Sequence, residues 1–303
     1  MEISTQSLAS AKLHLQSIFD KAYQGINDMW WQQLALRIKS NAGVEEYHWL
    51  GAVLGLKEIL GEIEIRNVLR HGYTIKNKEW ENTVGIKRRD IERDRLGVYA
   101  PLMDAMADEA AYQPSELVAR LMVNGFTDPD YTGTAFFAEG KMAHQKATPF
   151  SNKGTEKLSV SSFRTARANL LGRLNSEGRA MRLGKDLVLA VSPSNESIAK
   201  EITEAEEIDN NSNVNRGTAR TLVLPELMPL GGEQNWFLFE AGRTMKPFIV
   251  QVEKEPEANM TTDPNDSHVV KTQEFIYQIY CRHNAGYGLP EFAYGSTGAN
   301  DPE

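Results

Sequence analysis

The sequence predicts an α+β chain, on three observations. Long stretches carry apolar residues at three- and four-residue steps, several short stretches alternate or run apolar like strands, and no repeat of fixed period links them. At 303 residues the chain is long enough for two modest domains, or for one domain with large appendages.

The first helical stretch covers residues 8–39. There Leu8, Leu15, Ile18, Phe19, Ala22, Ile26, Met29 and Trp30 recur as on an amphipathic helix interrupted at Gly25. It reads equally as an ordinary packed helix and as an arm lying on a neighbouring subunit. Over 61–91 the period falls to two: Ile63 and Ile65, Tyr73 and Ile75, Val84 and Ile86, with charged or polar residues between. Lys76-Asn77-Lys78 reads as the tip of a hairpin whose arms have few apolar anchors. A two-stranded ribbon is marginal in water by itself. Such a hairpin either projects onto something else, another subunit for instance, or forms the edge of a mixed sheet.

A long helix follows over 98–124, with Pro101 in its first turn and Val98, Leu102, Met106 and Ala110 on one face. Pro114 removes one helical hydrogen bond and kinks or restarts the helix, and Gly125 closes it. Residues 127–157 are turn-rich and irregular. Ser159 caps a further helix with Phe163, Ala166, Leu170 and Leu174 inward, while Arg164, Arg167 and Arg173 point elsewhere. An apolar run at 187–191 leads through Ser192-Pro193-Ser194-Asn195 into a helix with Ile198, Ile202, Ala205 and Ile208 on one side. Short strands are expected at 222–224, 236–239, 248–252 and 275–280, the last followed by Asn284-Ala285-Gly286-Tyr287-Gly288.

Composition narrows the function classes. Forty-one acidic against 33 basic side chains give a net charge of -8, which repels phosphate backbones and anionic lipid surfaces. Lys87, Arg88, Arg89, Arg93 and Arg95 alternate with Asp90, Glu92 and Asp94, so the densest basic stretch is nearly neutral and reads as a solvated face or subunit contact. A single cysteine, Cys281, excludes an intrachain disulfide and a multi-thiolate zinc site. Residues 1–20 lack the pattern of a signal peptide, and no apolar run reaches the length of a spanning helix, so a soluble, unexported chain is expected.

The motifs of phosphate loops, dinucleotide loops, nucleophile elbows and zinc-protease helices are absent. His14, His48, His71, His144, His268 and His283 lie far apart, without a second ligand at metal-binding spacing. Cys281 with His283 is the only thiol and base in proximity, and it lacks a residue to orient the base. Glu201, Glu204, Glu206 and Glu207 fall on the polar side of their helix, where solvation explains them. The glycines of Gly286-Tyr287-Gly288 read as tight turns, since no helix follows to bind an anion. No catalytic, cofactor-binding or metal-binding residue is expected.

What identifies a family is an ordered set of segments. Trp49-Leu50-Gly51, Leu56-Lys57-Glu58, the run 72–78, Thr83-Val84-Gly85-Ile86 and Leu96-Gly97-Val98-Tyr99-Ala100-Pro101 come first; Trp236 to Phe239, the run 246–251, the run 284–288 and Ala293-Tyr294-Gly295-Ser296 follow. Together they resemble the major head subunit of Mu-like phages and prophages, whereas 141–216 matches less distinctively. The resemblance implies a Hong Kong 97-like capsid fold. On that fold residues 1–45 are a helical arm, 46–96 an extended β-hairpin loop, 97–130 the spine helix of a peripheral domain, 131–244 an axial domain, and 245–303 the last peripheral strands.

It further implies a non-enzymatic shell subunit in a virion, assembled in the host cytoplasm. Its partners would be copies of itself in hexamers and pentamers, with scaffold, portal and decoration proteins. Packaged DNA is touched only weakly, and membranes not at all. On the hairpin, Arg70, Tyr73, Lys76, Lys78 and Trp80 are the expected contacts to a neighbour. The alternatives are an encapsulin-like compartment shell of the same fold and a cysteine-dependent hydrolase using Cys281 and His283.

Overall fold

The computed structural model describes residues 3–27, 29–48, 50, 72–142, 149–175 and 178–300. Helix α1 (Thr5–Gly25) starts on a reciprocal cap in which the Ser4 hydroxyl accepts from the Ser7 amide and the Ser7 hydroxyl accepts from the Ser4 amide. It buries Leu8, Ala11, Leu15 and Phe19. The expected helix to residue 39 stops there. A single turn, α2 (Trp31–Leu34), leads into strand β1 (Ala35–Lys39), which runs parallel to β11 (Phe248–Met260) with Ala35 opposite Phe248. Local periodicity loses here because the edge of β11 offers backbone partners to that segment.

The hairpin expected at 76–78 is absent. Strand β2 (Val44–Glu46) pairs antiparallel with β3 (Thr74–Lys76), and β4 (Lys78–Lys87) pairs along its length with β12 (Glu274–Tyr287). Asn77 is therefore a joint between two strands that pair with different partners. Helix α3 (Arg88–Glu92) turns the chain into α4 (Ala100–Asn124), which continues through Pro114.

After the loop come β5 (Lys153–Gly154), α5 (Val160–Leu171), β6 (Leu187–Val191), α6 (Glu196–Glu204), the small pair β7 (Glu207–Ile208) and β8 (Asn211–Ser212), and β9 (Arg220–Val223). Strand β10 (Trp236–Glu240) precedes β11; helix α7 (Ser267–Thr272) separates β11 from β12, and β13 (Ala293–Ser296) follows. Ile208, expected on the face of α6, lies instead in β7, because the helix ends at Glu204.

Two sheets organise these elements. One has the order β1-β11-β12-β4 and the other β5-β13-β10-β6-β9. Between them lies an aromatic core of Phe136, Phe137, Phe237, Phe239, Phe248 and Tyr287, into which the second half of α4 inserts Val118, Ala119 and Met122. The first half of α4 packs Met103, Met106 and Ala107 with α1 over Ile86, Phe275, Tyr277 and Ile279 of the first sheet. On the other face of the second sheet α5 and α6 cover Leu187, Leu189, Val191, Trp236 and Leu238.

The expected inward face of α4 holds at Met106 and Ala110 but not at its start: Val98 is 61% and Leu102 38% exposed, whereas Met103 is fully buried. Docking of α1 selected the Met103 side. Arg173 also departs from its expected outward position. It is buried, and its Nη1 donates to the carbonyls of Pro290 and Ala293 at 3.1 and 2.9 Å, serving a turn whose carbonyls lack helical donors. Burial pushes its guanidinium down to about 9.

The turn-rich stretch after α4 is held by a wholly buried ion pair. Lys141 Nζ lies 2.9 Å from Asp130 Oδ2 and also donates to the Ala135 carbonyl and the Thr134 hydroxyl. Its satisfied donors offset the desolvation of the ammonium.

Gly125 ends α4 with φ -60°, outside the left-handed region. Its lack of a side chain serves packing, because a Cβ there would stand 2.9 Å from the Phe137 ring. Gly125→Ala is expected to lower stability by about 1–3 kcal/mol in urea unfolding, against the gain that helix propensity alone would bring.

Candidate assembly site

The segments on either side of residues 51–71 are paired with each other. The Tyr47 amide donates to the Tyr73 carbonyl at 3.0 Å, continuing the pairing of Glu46 with Thr74 in the β2-β3 ribbon. A buried side chain in the middle of β11 holds both arms. Gln251 Oε1 accepts from the Tyr47 hydroxyl at 2.6 Å, while its Nε2 donates to the Ile75 carbonyl at 3.2 Å and to Asn77 Oδ1 at 2.7 Å. Asn77 Nδ2 in turn donates to the Ala42 carbonyl and to Glu253. Burial pushes the Tyr47 hydroxyl well above the usual phenol range, so it stays a donor.

Strand β12 receives the ribbon from the other side. The Tyr287 amide donates to the Tyr73 hydroxyl at 2.8 Å, and Asn284 Nδ2 donates to the Lys76 carbonyl at 2.8 Å. A Cβ at Gly286 would lie 2.5 Å from Ile75 and 3.0 Å from the Tyr73 hydroxyl. That glycine, expected as a turn, sits inside β12 and permits close approach of the ribbon.

The five residues expected to contact a neighbour now separate. Arg70 lies outside the described residues. Tyr73 is committed to Tyr287 within the chain, and its hydroxyl is pushed up to about 12 by burial. Trp80 is half-buried, donates from its indole to the His283 carbonyl at 3.0 Å and stacks on the His283 ring. Lys76 and Lys78 are exposed. Sequence reasoning missed Gln251, Asn77 and Tyr47 as anchors. The only signal for them was a polar residue, Gln251, at the end of an apolar strand run.

The residues weighed for chemistry are placed as follows. Cys281 and His283 lie two apart on β12, both buried beneath α4. Burial raises the thiol to about 11, with the charge of Glu255 adding to it, and lowers the imidazole to about 4. A thiol held protonated beside a neutral imidazole is the opposite of an activated nucleophile. His283 meets the side-chain oxygen of Gln113 instead.

Glu201, Glu204, Glu206 and Glu207 are exposed, and Glu206 pairs with Arg216. His71 and His144 lie outside the described residues. Among the described residues no cluster of His, Cys, Asp and Glu is placed to hold a metal, and no helix is long and apolar enough to cross a membrane.

Comparison with known proteins places these features in context. The family model of the Mu-like prophage major head subunit gpT matches residues 8–157 and 228–301. The major capsid protein of Escherichia phage Mu is 29% identical over 268 residues, which cover 88% of this chain and 66% of that protein. The Mu-like prophage FluMu major head subunit of Haemophilus influenzae is 27% identical over 88% of this chain and 65% of its own length. The chain thus spans just under two thirds of the length of these relatives. The procapsid of bacteriophage JBD30 superposes with a TM-score of 0.62 at 25% identity, covering 99% of this chain and 77% of that one.

Two outcomes follow from the ribbon root and from β12. Gln251→Leu leaves the Tyr47 hydroxyl and the Ile75 carbonyl without their partner, and is expected to cost about 2–4 kcal/mol while speeding proteolysis between residues 48 and 72. For His283, the unfolded chain takes up a proton near pH 6.5, whereas the folded chain resists until about 4. Stability should therefore fall as pH drops from 6.5 to 4, by up to about 3 kcal/mol, and His283→Gln should remove that part of the pH dependence in paired melting curves.

Proposed function

The chain belongs to the family of the Mu-like prophage major head subunit gpT, and on that basis we propose that it is a major capsid protein of a tailed phage or Mu-like prophage. Copies of it close into an icosahedral shell around a DNA genome. The observation that carries the reading beyond family membership is the rooted ribbon of β2 and β3. Its ends are fixed to the sheet by Gln251, Asn284 and the Tyr287 amide. An element anchored this firmly at its base suits delivery of a contact to a neighbouring copy.

The assignments of the parts are likewise ours. The extended loop is the stretch between β2 and β3, shorter than the 46–96 that the resemblance implied. The spine is α4. The peripheral domain is the β1-β11-β12-β4 sheet with α1, and the axial domain is the five-stranded sheet with α5 and α6, which takes β13 from the last segment of the chain.

Shell stability then comes from many weak identical contacts acting together. A net charge of -8 suits a container that must enclose DNA and release it. Scaffold, portal and decoration proteins are the further partners this role calls for. The depressed reactivity of Cys281 supports a structural role over a hydrolytic one.

Negative-stain electron microscopy of the purified chain is expected to show closed shells or capsomers; a monomer under all conditions sinks the reading. Lys76→Ala with Lys78→Ala is expected to reduce shell yield and leave the folded chain as stable as before. Trp80→Ala, by contrast, should cost about 2–3 kcal/mol of folding stability, since it loses its packing and its bond to the His283 carbonyl. Equal shell yields from the lysine variant and wild type would remove those lysines from the interface.

A further inference from the structure

The stretch from 87 to 95 carries five basic and three acidic side chains, and the fold presents four of the basic ones to solvent. Asp90 accepts from the Tyr99 hydroxyl at 3.0 Å, and that hydroxyl accepts from the Lys87 amide at 3.2 Å. Glu92 is paired with Arg88 at 3.2 Å. Lys87, Arg89, Arg93 and Arg95 stand exposed, with Glu92 and Asp94 as the exposed acids among them. Beside them Val98 is 61% exposed at the entrance to α4. The result is a cationic corner with an apolar centre.

A patch of opposite sign adjoins it. The Arg88 amide donates to the Gln273 carbonyl at 2.9 Å, and Lys87 pairs with Glu274 across β4 and β12, so the corner abuts the connection from β11 to β12. That connection carries exposed Asp263, then Asp266 capping α7, and Glu274; Lys271 and His268 on α7 are its basic residues. It too exposes an apolar residue, Val270, at 57%. Among the described residues no ion pair joins Arg89, Arg93 or Arg95 to Asp263 or Asp266.

We propose that this end of the first sheet is a self-complementary contact, in which the Arg93–Arg95–Val98 corner of one copy meets the Asp263–Val270 turn of a second copy. Two neighbouring patches of opposite sign on one body face their complements when a copy is rotated about an axis near that end. The contact is then isologous, each patch meeting its complement across a two-fold axis, and it joins copies in pairs within the larger assembly. Opposite charges set the approach and register, and the two valines supply apolar area at the centre. The exposed valines favour a protein surface over a phosphate backbone, which would meet the arginines alone.

This inference rests on the shell reading, and the test separates the two. Three variants of the full chain are compared with wild type: Arg93→Glu with Arg95→Glu, Asp263→Lys with Asn265→Lys, and all four changes together. Circular dichroism melting first establishes that each is folded. Each single-patch reversal makes both patches alike in sign, and should lower the assembled fraction by about tenfold at equal concentration, measured by sedimentation and microscopy. The four-fold variant restores opposite signs, so it should recover assembly to within about threefold of wild type.

If the reversed variants assemble like wild type, the contact is wrong while the shell reading stands. Failure of the folded four-fold variant to recover has the same meaning. Loss of co-purifying nucleic acid alone from the Arg93→Glu, Arg95→Glu shells would overturn the contact in favour of DNA binding at this corner. Absence of assembly in wild type would sink the shell reading, and this contact with it.

Discussion

A single buried carboxamide governs how the β2-β3 ribbon sits on the body of this molecule. Gln251 sits fully buried in β11, and all of its hydrogen bonds reach the two arms that bound residues 48–72. A buried amide left unpaired is costly, so sheet and ribbon are folded together or not at all. Asn77, Tyr47, and Asn284 with Gly286 on β12 all serve that joint, from three separate segments. The contact role proposed for the ribbon depends on this rigidity, because a ribbon with a loose base would pay an ordering cost at every contact it made.

Around that joint the body has a simple mechanical plan. Helix α4 spans both cores: its first half is covered by α1, and its second half enters the aromatic cluster between the two sheets. The Phe136 and Tyr287 rings stack at 4.7 Å, and Phe136 meets Phe137 edge-on at 4.9 Å, which ties the loop after α4 to β12. Buried polar groups then fix the irregular parts. Glu240 accepts from the backbone amides of Lys185 and Gly242, Arg173 holds the turn before β13, and Lys141 with Asp130 holds the loop after α4. Loops set by buried polar networks have one geometry, which an identical repeated contact requires.

Much of the fold was legible in the sequence. The α4 helix with its early proline, the capped α5, the strand-to-helix step at β6 and α6, and the strands β10 and β11 all follow from periodicity and caps, which are local effects. The candidate site was legible only in outline. A core-poor, charged strand pair near residue 75 was visible, but its partners were not: β4 pairs with β12, nearly two hundred residues away, and alternation in one strand carries no record of which strand lies beside it. Tyr73 and Trp80 looked free for a neighbour because their hydrogen-bond partners, the Tyr287 amide and the His283 carbonyl, are main-chain groups without a side-chain signature.

The sequence by itself determined the class of the chain: an α+β body with an acidic net charge, a single cysteine and no catalytic motif, and the ordered segments that mark its family. Those properties are sums over residues or local patterns, so no contact need be known. Tertiary structure alone decided which face of α4 is buried, that residues 35–39 are a strand, that Cys281 is held protonated, and which acidic turn the stretch from 87 to 95 lies beside. Each of these depends on what is brought against the residue from far along the chain. Burial, pairing and the cancellation of charge are properties of neighbours in space.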